Sequence, residues 1–178
     1  KGRGETVSEI VGFAKAMRDH VTKVTLNKEA IDLCGTGGTG KSRFNISTAS
    51  AFVLAAAGVP VAKHGNYGSK QSNGSFNFLE ELDINIQLSP EQLSKIFEKT
   101  NLCFLFARHH HKAMKHVAQA RKEISERTIF NLLGPLCNPA NVSRQIIGTT
   151  TVVIAEKLAQ VIQKLGTTKS MIIVGPNQ

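Results

Sequence analysis

Apolar residues recur along this chain at two different spacings, and the switching between them predicts its elements. Val7, Ile10, Val11, Ala14 and Met17 follow at helical spacing behind Thr6-Val-Ser-Glu9. That tetrad is a capping box, in which the threonine and glutamate side chains each satisfy a backbone amide at the helix start. Glu9, Lys15, Arg18 and Asp19 make the opposite face charged, so the apolar face requires a partner. Residues 31–34 then read as a short strand, 35–40 as a glycine-rich loop, 47–57 as a helix stopped by Gly58, and 59–62 as a second strand. Strand, loop, helix and strand in that order belong to a parallel sheet. Ser89-Pro-Glu-Gln92 opens another helix, with serine as cap and proline at the first helical position. Residues 102–106 read as a buried strand and 112–123 as a helix. A loop punctuated by Pro and Gly covers 129–140, a helix closed by Gly166 covers 155–165, and 171–174 form a last strand. The expected class is α/β, a mainly parallel sheet flanked by helices over residues 24–178, preceded in residues 1–23 by the remnant of an N-terminal helical domain.

Composition narrows the partners. No run approaches the ~18–20 apolar residues of a membrane span, and the charged N-terminus lacks the apolar core of a signal peptide. Cys34, Cys103 and Cys137 lie far apart with no CxxC, which predicts reduced, buried thiols and a cytoplasmic location. Lys and Arg total 22 against 13 Asp and Glu, a net charge of +9. Such a balance favours phosphorylated small molecules, nucleic acid or an acidic protein. No acid follows Glu156.

The loop Gly35-Thr-Gly-Gly-Thr-Gly40-Lys41-Ser42 fits both GxGxxG and GxxxxGK[ST], patterns that place backbone amides around phosphate. A dinucleotide fold also needs an acid about 20 residues on, at the end of the second strand; that region, 59–63, ends in Lys63. A P-loop starts its helix at the Lys-Ser pair, whereas Arg43-Phe-Asn-Ile-Ser-Thr48 starts helices poorly and carries capping side chains at Asn45 and Ser47. The helix should therefore begin four or five residues late. The P-loop reading also needs a strand ending in Asp for magnesium, and the apolar strands run out at Arg108 and Gly175.

A third reading uses four separated stretches in order: Asp32-Leu-Cys-Gly-Thr-Gly-Gly38, Phe44-Asn-Ile-Ser-Thr48, Lys63-His-Gly-Asn66, and residues 131–140, Asn-Leu-Leu-Gly-Pro-Leu-Cys-Asn-Pro-Ala. Together they resemble the anthranilate phosphoribosyltransferase family across nearly the whole chain, and Gly4-Glu-Thr6 and Ala16-Met-Arg18 fit it too. The resemblance implies transfer of phosphoribosyl from phosphoribosyl diphosphate to anthranilate, with Mg2+ as cofactor, in a homodimeric enzyme of tryptophan biosynthesis. It assigns the donor to Gly35, Gly38, Thr39, Asn45, Ser47, Thr48, Lys63 and Ser75. It assigns anthranilate to Gly35, Asn66, His111 and Arg121, and a magnesium-linked oxygen to Ser47. No residue acts as a catalytic nucleophile or base in this scheme, because holding an anion, a metal and an amine in line suffices. His109-His-His111, read as extended, would not converge on one metal ion.

Several positions depart from what the resemblance implies. Thr39 and Asn77 stand for Asp, Arg43 for Ser or Thr, Tyr67 for Arg, Lys70-Gln71 for Ser-Ser, and Lys112 for Pro. The implied Asp-Glu pair for magnesium falls beyond Gln178, and the implied dimer-building helices fall before Lys1. The expectation is a chain that binds the donor and, by itself, turns it over poorly. Two other classes remain: a non-catalytic basic relative that binds nucleic acid, and an enzyme like the pyrimidine nucleoside phosphorylases.

Overall fold

The computed structural model describes residues 3–37, 44–68, 74–124 and 128–175. Five parallel strands form one sheet in the order β3-β2-β1-β4-β5: β1 is Ile31–Gly35, β2 Val61–Gly65, β3 Leu102–Phe106, β4 Arg144–Thr149 and β5 Lys169–Val174. The helices are α1 (Val7–Asp19), α2 (Ile46–Ala56), α3 (Ser75–Glu81), α4 (Pro90–Thr100), α5 (Ala107–His110), α6 (Ala118–Glu123), α7 (Phe130–Leu133) and α8 (Val152–Lys164). The α/β class with a parallel sheet is the one the patterning implies.

Both capping boxes form. Thr6 accepts from the Glu9 amide at 3.2 Å, and Ser89 accepts from the Gln92 amide at 3.3 Å. The two helix stops are also as expected. Gly58 and Gly166 adopt φ of +85° and +80°, and each closes its helix by a paired reverse bond: Val59 N to Leu54 O, and Thr167 N to Ile162 O. That closure explains why β2 starts two residues later than its apolar pattern suggests. Val59 belongs to the helix stop, and Pro60 contributes only its carbonyl, to Ile31 N at 2.9 Å.

Other segments differ from expectation. The helix expected over 112–123 is a 3₁₀ stretch, Lys112–Val117, followed by α6. The side chains of His110 and His111 are held by other elements just before it, and Met114 N bonds three residues back to His111 O. The expected loop over 129–140 contains α7 and a 3₁₀ turn, Gly134–Leu136, with Pro135 tolerated near its start. The histidine run is helical, not extended: His109 and His110 lie in α5 and His111 follows it. Arg108 therefore does not end a strand. Strand β4 was not legible, because only Ile146 and Ile147 are apolar and the flanking Gln145 is buried although polar.

Successive residues on the strands face opposite layers. Leu33 and Val61 pack with Ala51 of α2, while Phe76 and Leu79 of α3 cover Phe106. On the other face Cys34 and Ile147 meet α1, α7 and α8, and Ala62, Cys103 and Leu105 meet Leu93 and Phe97 of α4. The apolar face of α1 finds its partner there: Ile10 and Ala14 are fully buried among Leu158, Val161 and Ile162. All three cysteines are free and buried. Among the described residues no helix is long and apolar enough to cross a membrane.

Truncating Ile10 to Ala should cost about 2–5 kcal/mol, the range for emptying a packed aliphatic site. Phe13, on the same helix but 48% exposed, should cost well under half of that when truncated. Urea unfolding of the two variants checks whether α1 is part of the core or an appendage.

Candidate functional site

The strand order reverses direction at β1. The chain proceeds from β1 outward through β2 to β3, then returns to add β4 on the other side. In open parallel sheets the crevice at such a reversal, at the carboxyl ends of the strands, is where ligands bind. Gly35 ends β1 opposite Gly148 of β4. Gly37 follows with φ +62°, a conformation glycine adopts at no steric cost.

Helix α2 starts at Ile46, four residues after Ser42, so the P-loop geometry is not realised. Asn45 occupies the cap position, yet its side chain makes no capping hydrogen bond. Ser47 and Thr48 fill the first turn. Thr48 is fully buried and its Oγ1 has no hydrogen-bond partner. Thr149, just past Gly148 on β4, likewise has a buried, unpartnered Oγ1; nothing in the sequence pattern singled it out. Unpaired buried hydroxyls are costly. Here one lies in the first turn of a helix, where the backbone dipole favours an anion.

Lys63 is not a solvated strand-end residue. It is 1% exposed, and among the described residues its Nζ donates to Leu33 O at 2.9 Å and to His64 O at 3.4 Å. Asp32 is fully buried nearby. Its Oδ1 accepts from His64 N at 3.0 Å and its Oδ2 from Asn138 Nδ2 at 2.9 Å. Burial pushes the Asp32 carboxyl up and the Lys63 ammonium down, and each is opposed by the other's charge. Asn138 also donates to Ala62 O at 2.9 Å and accepts from Ala140 N at 2.8 Å.

The segment carrying Asn138 is gripped carbonyl by carbonyl. Gly134 O accepts from His64 Nδ1 at 3.0 Å, Pro135 O from Gln145 Nε2 at 2.6 Å, and Leu136 O from Arg18 Nε at 2.7 Å. Strands β2 and β4 and helix α1 each contribute one side chain. Because a carbonyl only accepts, the His64 proton sits on Nδ1, and its bare Nε2 accepts from His111 Nε2–H at 3.1 Å. Burial holds His64 down to about 3, with the His111 and His110 charges adding to it. It holds His111 down to about 4, against a weak pull from the Cys137 backbone. Both rings are neutral near pH 7.

Asn66 and Tyr67 follow β2. Asn66 is exposed, and its Oδ1 accepts from Tyr67 N at 2.8 Å. Asn77, at the expected Asp position, keeps the essential acceptor: its Oδ1 takes Gly68 N at 2.9 Å and Gly74 N at 3.0 Å. Ser75 begins α3 so close to Gly65 that a β-carbon there would lie 3.1 Å from Ser75 Cβ. Gly38 and Thr39 lie outside the described residues, as do Arg43 and Lys70-Gln71, and the side chain of Arg121 is not described. Thus Gly35, Asn45, Ser47 and Thr48 gather at the β1–α2 corner, and Lys63, Asn66, Ser75 and His111 around the end of β2. For magnesium the described residues offer the neutral Ser47 oxygen, and among them no three His, Cys, Asp or Glu side chains converge. Asp32 is consumed by its own partners. These residues alone do not fit a magnesium site, and no step is assigned to one.

Asn138→Ala strands Asp32 Oδ2 and Ala62 O, and should cost about 2–4 kcal/mol in denaturant unfolding. The unfolded chain takes up histidine protons near pH ~6.5, whereas folded His64 and His111 resist them down to about 3 and about 4. The stability they contribute is therefore complete above pH ~6.5 and is lost as pH falls toward those values, by up to ~1.4 kcal/mol per pH unit for each ring. In His111→Gln the stability profile between pH 6.5 and 5 should be measurably shallower than in the parent.

Comparison with known proteins agrees with this layout. Residues 27–177 match the family described as "Glycosyl transferase family, a/b domain". The chain is 53% identical over 174 residues to an anthranilate phosphoribosyltransferase of Shouchella clausii, covering 97% of this chain and 51% of that protein. It is 49% identical over 173 residues to one of Bacillus caldotenax, covering 97% of this chain and 72% of that protein. Among solved structures, the anthranilate phosphoribosyltransferase of Thermus thermophilus superposes with a TM-score of 0.92 at 38% identity, covering 99% of this chain and 54% of that one. The Saccharomyces cerevisiae protein, solved in complex with PRPP and Mg, gives 0.87 at 29% identity over 96% of this chain and 48% of that one. The chain spans about half the length of most curated relatives it matches. A sheet reversed at β1, the four ordered motifs and these likenesses together place the chain in the anthranilate phosphoribosyltransferase family.

Proposed function

We propose that this chain is the phosphoribosyl-binding part of an enzyme that transfers phosphoribosyl from phosphoribosyl diphosphate to the amine of anthranilate, in tryptophan biosynthesis. In that reaction the bond from the sugar's anomeric carbon to diphosphate breaks, a carbon–nitrogen bond forms, and the amine loses a proton. The observation that carries the reading is the buried, unpartnered Thr48 hydroxyl in the first turn of α2, beside an Asn45 side chain left free of capping. Asn45, Ser47 and Thr48 donate to diphosphate oxygens there, and the Gly35–Gly37 backbone lets the anion approach. Lys63, whose Nζ has two acceptors among the described residues, and Ser75 complete the donor side. Asn66 and His111 lie on the acceptor side, with Arg121 assigned there by resemblance.

Support also comes from relatives: the yeast protein was solved with PRPP and Mg, and again with 4-fluoroanthranilate. Magnesium use, a homodimer, a cytoplasmic location and an N-terminal helical domain of which residues 1–23 are a part belong to the same reading. The nucleic-acid alternative rests on net charge alone and leaves the Thr48 hydroxyl unexplained.

Thr48→Val decides whether α2 holds the donor. Valine keeps the shape and removes an unpaired buried hydroxyl, so thermal stability should stay level or rise by up to ~1 kcal/mol. Affinity for phosphoribosyl diphosphate by calorimetry should fall roughly tenfold. Unchanged affinity would remove α2 from the donor site, and ATP bound in preference to the phosphoribosyl donor would sink the assignment altogether.

A further inference from the structure

Residues 99–122 contain Lys99, Arg108, Lys112, Lys115, Arg121 and Lys122 and not one Asp or Glu. Arg108 lies on the Tyr67 ring, 4.7 Å from its centroid, and the side chains of Arg121 and Lys122 are not described. Two of the remaining cations are placed together by the backbone. The Lys112–Val117 stretch is a 3₁₀ helix, in which side chains three residues apart eclipse, so Lys112 and Lys115 share one edge. Both are exposed. The ion pairs among the described residues join Arg3 to Glu9 and Arg144 to Glu29, so neither lysine is neutralised by one. The stretch begins directly after His111, whose ring reaches His64 at the end of β2, next to Lys63. Met114 N bonds back to His111 O at 3.0 Å and ties the lysine edge to that anchor. At a rise of roughly 2.0 Å per residue, even Lys115 starts about 8 Å from the His111 backbone.

Like charges side by side on a helix edge are unfavourable, and an approaching anion relieves their repulsion. Lys112 stands where the resemblance implies proline, so that half of the edge is a feature of this chain. Resting on the phosphoribosyl-transfer reading, we propose that Lys112 and Lys115 form an electrostatic entry edge that speeds capture of the phosphoribosyl donor without touching it once bound. The field of an exposed ammonium extends over the screening length, about 8 Å in physiological salt and about 30 Å at 0.01 M. In dilute salt that range takes in the His64–His111 contact and the Lys63 beside it. The donor carries a phosphate and a diphosphate, the aromatic acceptor a single carboxylate, so the field acts chiefly on the donor. Charges placed at a rim raise association rates and their salt dependence, and leave dissociation nearly untouched.

The test compares the full chain with Lys112→Gln/Lys115→Gln and with a control of equal charge, Lys95→Gln/Lys99→Gln. The control lies on α4, whose last turn leads into the start of β3 at the opposite end of the sheet. Phosphorus NMR line shapes, recorded as phosphoribosyl diphosphate is titrated, give both rate constants for binding. In about 20 mM salt, association should be about three- to tenfold slower in Lys112→Gln/Lys115→Gln, with dissociation within about twofold of the parent. At about 0.5 M salt the two proteins should coincide. Lys112→Arg/Lys115→Arg, which keeps the charge, should match the parent throughout, and the control should associate as the parent does. An unchanged association rate in Lys112→Gln/Lys115→Gln at low salt overturns the proposal. So does faster dissociation that persists at high salt, because the lysines would then be direct contacts. Equal slowing in the control overturns it as well, by assigning the effect to net charge and not to this edge. Failure of the parent chain to bind the donor at all overturns the phosphoribosyl-transfer reading, and this proposal with it.

Discussion

The buried carboxylate of Asp32 is the constraint on which the rest of this structure depends. An ionised carboxylate in a protein interior is expensive unless its oxygens are filled by donors. Asp32 has one oxygen on the backbone of β2 and the other on Asn138, with the Lys63 charge nearby. Meeting those requirements fixes the relative height of β1 and β2 and draws the 134–138 segment across the strand ends. The segment's carbonyls are then taken, one each, by His64, Gln145 and Arg18. Polar satisfaction locates this end of the sheet, and three of the four separated motifs meet because Asp32, the Lys63-His64 pair and the 134–138 segment each supply a donor or acceptor to this network.

That arrangement divides the site into a polar floor and a rim. The floor is the network itself, with two histidines kept neutral by burial. The rim is the first turn of α2, where the buried Thr48 hydroxyl lacks a partner, and the residues after β2, where Asn66 is exposed. The positive charges follow the same division. Lys63 is buried within the floor, whereas Arg108 is exposed against Tyr67.

The departures from family pattern take on physical meaning in this setting. Asn77 replaces the implied acid but retains the oxygen that accepts two backbone amides, so the 68–74 connection keeps its anchor without the charge. Tyr67 loses a cation but gains a hydroxyl bond to Glu80 and a face for Arg108.

From sequence alone, the α/β class, both capping boxes, the glycine helix stops, the late start of α2 and the family were legible. Each rests on local rules: helical spacing, capping side chains, left-handed glycines and short ordered motifs. Strand β4 and the turns at 130–136 were not, because their stability comes from partners distant in sequence. Gln145 is acceptable inside the sheet only because Pro135 O is there to receive it. The same reason hid the character of the site. The motif positions marked Lys63 and His111 as binding residues, but only the folded chain decided that Lys63 is buried beside Asp32 and that His111 donates to His64. Likewise Arg108 looked like a strand terminus until the fold set it against Tyr67. Local chemistry is written in the order of residues; which polar group is left without a partner is settled by the whole chain at once.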